Sequence, residues 1–231
     1  MSSSEPLETR VENLAIYSTY CGATPNRTFS ARPVDTRYPH YFISNNRDVL
    51  ADAGSAGWIP VLLNVEVSDN QILSAHQAKI AKALPHRLAP LTGFDYLFYK
   101  DDKVEVNVGR MGEFVALMDK ANAPLALRAH PFLPPNVLFE FGEAMLQPRY
   151  KTQWTQTVQY ITEELRNGYK LECETLYATG AILRNMKHPS TQALNEAWYE
   201  HIVRCGIECQ ISFHFIAQRF SPIAILPWNI G

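Results

Sequence analysis

Apolar residues in this chain come in short runs, each ending on a polar or charged turn. Residues 14–17 form the first run and lead into Ser18-Thr19-Tyr20-Cys21-Gly22. Residues 40–43 form the second, stopping at Ser44-Asn45-Asn46-Arg47, and residues 58–63 form a third. The most aromatic run, residues 94–99, ends on Lys100-Asp101-Asp102-Lys103. Runs this short, rich in β-branched and aromatic residues, predict interior strands. Val104-Glu105-Val106-Asn107 alternates and predicts a short half-exposed strand. Between the runs the period lengthens. Ile72, Ala75, Ile80, Ala83 and Leu84 predict a helix over residues 72–91, ended or kinked by Pro85. Further helices are expected over residues 111–122, within 136–168 and over 190–205, and further strands at 124–128 and 176–184. Residues 209–218 are apolar, interrupted by His214. Residues 23–37, with Arg27, Arg32 and Arg37, predict a long surface loop. Strands alternating with helix-length segments define an α/β chain. The expected architecture is a mostly parallel central sheet flanked by helices, a single domain over residues 14–231, with residues 1–13 a disordered lead-in.

The chain of 231 residues is long enough to bury a full core. Its 21 basic and 23 acidic residues give a formal charge of −2, which argues against a general nucleic-acid partner. The four cysteines, Cys21, Cys173, Cys205 and Cys209, include no CxxC pair; they predict free thiols in a reducing compartment rather than a zinc site. The N-terminus is polar, without the apolar centre of a signal peptide, and no apolar stretch reaches the roughly 18 residues of a membrane span. These features predict a soluble, cytoplasmic protein, or a soluble domain of a longer one.

The chemistry concentrates after residues 94–99. Four charges at the end of a buried strand need partners or the rim of the sheet, and the rim is where an open α/β fold takes its ligands. The adjacent carboxylates of Asp101 and Asp102 repel each other, and a divalent cation would relieve that repulsion. A charged turn joining two strands is the simpler alternative. Lys79 and Lys82 fall three apart on the predicted helix and face the same way.

Eight segments, in order, resemble a glycosyltransferase-like family known mostly as a domain of unknown function, with plant secretory-pathway members and bacterial members near polysaccharide loci. They are residues 15–22, Tyr41-Phe42-Ile43-Ser44-Asn45, Gly57-Trp58-Ile59-Pro60-Val61, Lys82-Ala83-Leu84-Pro85-His86, residues 98–104, Ala129-His130-Pro131, residues 176–184, and Cys209-Gln210-Ile211-Ser212-Phe213. Together they span roughly residues 14–220, the size of one compact domain. The chain departs from the family at two places. Cys209 stands where the family has a late Asp, with Glu208 beside it, and Lys103 stands at the third position of an Asp-x-Asp motif.

The resemblance implies a GT-A-type nucleotide-sugar transferase. Its donor would be a nucleoside-diphosphate sugar, most simply a UDP-sugar, and its acceptor a glycan or small molecule, with inversion at the anomeric carbon. Breaking the glycosidic bond builds charge on the leaving diphosphate, which a metal or fixed cations must neutralise. On this reading Asp101 and Asp102 hold Mn²⁺ or Mg²⁺, or Asp101 holds donor hydroxyls, and Lys103 takes over neutralisation if no metal binds. Lys79, Lys82 and His86 flank the nucleotide, while Tyr17, Ser18, Thr19, Tyr20 and Asn45 line its base pocket. His130 meets the sugar or acceptor, and Glu208 is the catalytic base. His214 is a remote candidate for the metal, or for activating Cys209 as a nucleophile. An inactive relative that binds carbohydrate or nucleotide sugar is the alternative, motivated by Cys209. A metal-dependent hydrolase built on Asp101 and Asp102 is a second.

Overall fold

The computed structural model describes residues 10–23 and 31–231. Strands β1 (Leu14–Thr19), β2 (His40–Ser44) and β3 (Ile59–Leu62) pair in parallel, and β4 (Tyr96–Lys100) joins β1 on its other side, also parallel. After β4 come β5 (Leu125–Ala129), β6 (Tyr177–Asn185) and β7 (Ala224–Leu226). β6 runs antiparallel between β4 and β5, and β7 lies parallel to β5 at the edge. The seven strands stand in the order β3-β2-β1-β4-β6-β5-β7. Helices α1 (Arg47–Ser55), α2 (Gln71–Ala83) and α3 (Met111–Lys120) cross between the strands of the first half. The second half adds α4 (Val137–Ala144), α5 (Pro148–Lys151), α6 (Trp154–Arg166), α7 (Thr191–Cys205) and α8 (Cys209–Arg219).

Strand side chains alternate between faces. Ala15, Tyr17, Leu97, Tyr99, Leu127 and Ile182 face Leu194 and Trp198 of α7 and Phe213 and Ile216 of α8. Leu14, Ile16, Phe98, Ala126 and Leu183 face the other way, onto Met111, Phe114 and Met118 of α3. Helices on both faces explain why residues 94–99 read as a continuous apolar run. Each fully buried Leu or Phe contributes roughly 1.5–3 kcal/mol. The expected single-domain α/β architecture is the observed one.

Some boundaries differ from expectation. α2 stops at Ala83, because Pro85 offers no N–H to continue it, and two short 3₁₀ turns, Pro85–Arg87 and Ala89–Leu91, fill the rest of the predicted helix. Residues 104–107 form no strand. Val104 and Val106 pack against the α3 side, and Asn107 N–H donates to Ile230 O at 2.6 Å, so the alternation records one-sided packing without a paired neighbour. Residues 209–218 lie in α8, and β7 went unpredicted because it has three residues. Of the lead-in, residues 1–9 lie outside the described residues. Asn13 belongs to the fold, its carbonyl accepting from the N–H groups of Asp95 and Tyr96. In the loop, Arg27 lies outside the described residues, Arg32 pairs with Glu105 at 2.7 Å and Arg37 with Asp35 at 2.9 Å. All four cysteines are free.

Candidate functional site

From β1 the chain builds β2 and β3 to one side, then returns to place β4 on the other. The strand order therefore reverses at the β1–β4 pair, and the crevice beyond their carboxyl ends is where open sheets take ligands. Asp101 directly follows β4. Its N–H donates to Gly180 O at 2.8 Å and its carbonyl accepts from Val104 N–H at 2.9 Å, which makes residues 101–104 a tight turn. Strand alternation turns Tyr99 and Asp101 toward α2 and α8, and Lys100 the other way, where its ammonium donates to Val104 O at 3.0 Å. Gly180 on β6 leaves room for the carboxylate: a Cβ there would stand 3.2 Å from Asp101 Oδ2.

Asp101 Oδ1 accepts from the Tyr99 hydroxyl at 2.6 Å and from Lys82 Nζ at 3.4 Å. The Lys82 ammonium also lies 4.8 Å from the centre of the Tyr99 ring. Burial favours the neutral form of Asp101, but Lys82, Lys79 and the Tyr99 hydroxyl outweigh it and hold the carboxyl below its ordinary value. Helix side chains lean toward the helix N-terminus, so Lys79 and Lys82, one turn apart near the end of α2, reach back toward the rim. The helix end is fixed from below. Lys82 O accepts from Arg184 Nη2 at 2.7 Å and from the Tyr17 hydroxyl at 3.3 Å, and Arg184 also donates to Tyr17 and to Asn195 of α7. A guanidinium under a helix C-terminus meets carbonyls that lack intrahelical partners and the negative end of the dipole.

Lys79 Nζ donates to Cys209 Sγ at 3.2 Å. Burial works against its charge, yet Cys209, Asp101 and Glu208 around it leave its pKa raised. Cys209 opens α8, with its sulfur 3.3 Å from Thr179 Oγ1. The next residue, Gln210, accepts from Thr179 N–H at 3.1 Å, and its amide favours the charged form of Glu140 on α4. Glu140 is buried, 3.8 Å from His130 Nε2. Burial, then the charges of Glu208 and Glu143, push its carboxyl up to about 7. Three polar groups thus stand side by side: Asp101 with Tyr99 and Lys82, Lys79 with Cys209, Thr179 and Gln210, and Glu140 with His130.

The sequence-predicted residues divide around these groups. Asp101 meets Lys82, and Lys79 meets Cys209. Asp102 and Lys103 are exposed on the turn. Tyr17 and Ser18, expected in a base pocket, are fully buried within the sheet, and Tyr17 serves instead to hold Arg184 and Lys82 O. Thr19, partly exposed, donates to Ile43 O. Asn45 ties the turn after β1 to neighbouring segments, accepting from Gly22 N–H and donating to Glu66 O and Gln77. Gly22 there has φ +143°, a conformation that favours glycine. His86 lies beyond the end of α2 and pairs with Glu196 of α7 at 2.7 Å, apart from the Asp101 group. Glu208 caps α8, its Oε1 accepting from Gln210 N–H at 3.0 Å. His214 is buried in α8 and donates through Nε2 to Lys170 O, away from Asp101 and Asp102.

The residues after β4 fit a dication poorly. Asp101 already shares its carboxylate with Tyr99 and Lys82, and Asp102 points to solvent. Among the described residues no three His, Cys, Asp or Glu side chains group as a metal site. Glu140 went unnoticed in the sequence, although an acid among Val137, Leu138, Phe139 and Phe141 signals a buried carboxyl.

No family model matches the chain, and no curated protein sequence matches it. Among solved structures it is similar to the apo form of mouse xyloside xylosyltransferase 1, with a TM-score of 0.49 and 12% identity, covering 91% of this chain and 84% of that one.

Proposed function

We propose that this protein is a glycosyltransferase that moves a sugar from a nucleoside-diphosphate sugar, a UDP-sugar in the simplest case, to a glycan or small acceptor with inversion. The observation that carries the reading is a pair of lysines at the strand-order reversal, Lys82 on Asp101 at 3.4 Å and Lys79 on Cys209 Sγ at 3.2 Å. Lysines so placed suit an incoming diphosphate and supply fixed cations where charge develops as the glycosidic bond breaks. Lys79 and Lys82 neutralise the leaving diphosphate, Asp101 orients donor hydroxyls, and Lys103 on the exposed turn can fold over the phosphates. The acceptor proton goes to the Glu140–Glu208 pair. Glu140 is the better base of the two, because Glu208 caps a helix and Glu140 sits beside His130 with a pKa suited to taking a proton near neutrality. The lysines make a metal dispensable. Among the described residues no helix is long and apolar enough to cross a membrane.

The test is release of nucleoside diphosphate from a panel of nucleotide sugars, with and without acceptors and EDTA. Turnover that survives EDTA and is lost in Lys82→Met supports the reading. A protein that binds no nucleotide sugar in calorimetry overturns it. Tight binding without transfer or hydrolysis across the panel selects the inactive-relative alternative.

A further inference from the structure

Beyond the end of β5, next to the Asp101 turn, lies a pocket of about 490 Å³ walled by Val104, Glu105, Arg128, Trp228, Asn229 and Ile230. Arg128 is its chemical centre. The guanidinium lies 4.7 Å from the centre of the Trp228 ring, and its buried Nε has no hydrogen-bond partner. Arg128 has no carboxylate in ion-pair contact among the described residues. Glu105, the acid in the same wall, is paired with Arg32 at 2.7 Å. Asp101, whose charge Arg128 feels, is shared between Tyr99 and Lys82. A half-buried guanidinium with an open face and no anion is a site for one.

The rings beside it point to the rest of the ligand. Trp228 is 52% exposed and Phe132 is 82% exposed, their rings meeting edge to face at 6.1 Å. Phe132 in turn meets His130 at 6.4 Å, and His130 stands beside Glu140. Exposed aromatic rings in a row offer apolar platforms to the C–H faces of a pyranose, while Arg128 and Asn229 offer polar partners at its rim.

We infer that the Arg128–Trp228 pocket is the acceptor subsite and that it takes an anionic saccharide, its acid group on Arg128 and its ring on Trp228 and Phe132. This inference rests on the transferase reading above and names the acceptor class for it. A sugar laid along this row presents a hydroxyl toward His130 and Glu140. The acid group is a carboxylate, as in a uronic acid, or a phosphate ester; both have the planar or branched oxygens that a guanidinium binds in a fork.

The probes are trigalacturonate, glucose 6-phosphate and the neutral maltotriose, titrated into the full chain by calorimetry, with UDP titrated separately. The expected result is that one or both charged probes bind at least tenfold more tightly than maltotriose, and their ranking tells carboxylate from phosphate. That preference should fall at least tenfold in Arg128→Gln, and overall sugar affinity should fall in Trp228→Ala, a change at an exposed ring that spares the core. UDP affinity should change less than twofold in both. Equal binding of charged and neutral sugars overturns the inference, as does no binding of any of the three. An Arg128→Gln variant that loses UDP while keeping its sugars also overturns it, since Arg128 would then belong to the donor. UDP binding to the unaltered chain separates the two claims: its absence sinks the transferase reading, whatever the sugars do.

Discussion

Two clusters of charge in this fold are paired to different degrees. Between α6 and α7, Glu164 is 1% exposed and accepts from Arg204 at 2.8 Å, with Glu163 on the same guanidinium at 3.0 Å and His201 at 4.0 Å. Tyr160 closes this group through its hydroxyl to His201. Anions there match or outnumber the fixed cation, and every group has a partner. After β4 the pairing is looser: Lys82 reaches Asp101 only at 3.4 Å, and Lys79 donates to the Cys209 sulfur, with Glu208 near it but spent on capping α8. Close pairing of every charge fixes a structure; loosely paired lysines at the crevice of an open sheet leave capacity for a further anion.

The comparison breaks most visibly at Lys82. Lys82→Met keeps the stem and removes the charge, so turnover should fall on the order of 10²–10³, the usual worth of one group stabilising transition-state charge. Unfolding by urea should show the fold intact, and an equal loss of stability and activity would make the two clusters alike. Glu164→Gln should do the reverse. Arg204 is partly exposed and keeps Glu163, so the cost should be about 2 kcal/mol, the worth of one hydrogen bond to a charged group, with turnover per folded molecule unchanged. A Glu164→Gln protein that folds as well as its parent would remove the contrast.

Glu140 sharpens it through pH. Its folded pKa of about 7 lies above the ordinary 4.5, so the folded state holds the proton more tightly than the unfolded chain. The contribution to stability is full below about pH 4.5 and is lost as pH rises through about 7. If Glu140 is the base proposed above, activity should rise across the same upper limb. Glu140→Gln should flatten both profiles, read by urea midpoints and by kcat against pH; a stability profile that keeps its slope would place the titration elsewhere. The smallest effect is expected at Gly180→Ala. The new methyl would press Asp101 Oδ2 at 3.2 Å and shift it by tenths of an ångström. Turnover should drop by several-fold, on the scale that small misplacements produce, with the urea midpoint barely moved.

The sheet was largely legible because strand and helix periods differ and the runs end on polar turns. Asp101 was legible as a charge after a buried strand, and Lys79 and Lys82 as neighbours on one helix face. Less legible was what long-range packing decides. Tyr17 looked like a pocket residue because it precedes a polar turn, yet alternation within β1 turns it inward onto Arg184. Residues 104–107 alternate like a strand but have no partner strand. Glu140 and Arg128 lie about thirty to forty residues from Asp101 in sequence and reach its neighbourhood only through β5, β6 and α8, so no local window could join them.

Arg184 carries a consequence for how such a molecule changes over time. It binds β1, the end of α2 and α7 at once, in the dry interior below the lysines. The lysines' aim is thereby decided one storey beneath the chemistry. Residues at the crevice can be exchanged without retuning the foundation that points them. Mutational tolerance should therefore be graded by depth: permissive among the side chains at the crevice, and strict at the buried guanidinium beneath them.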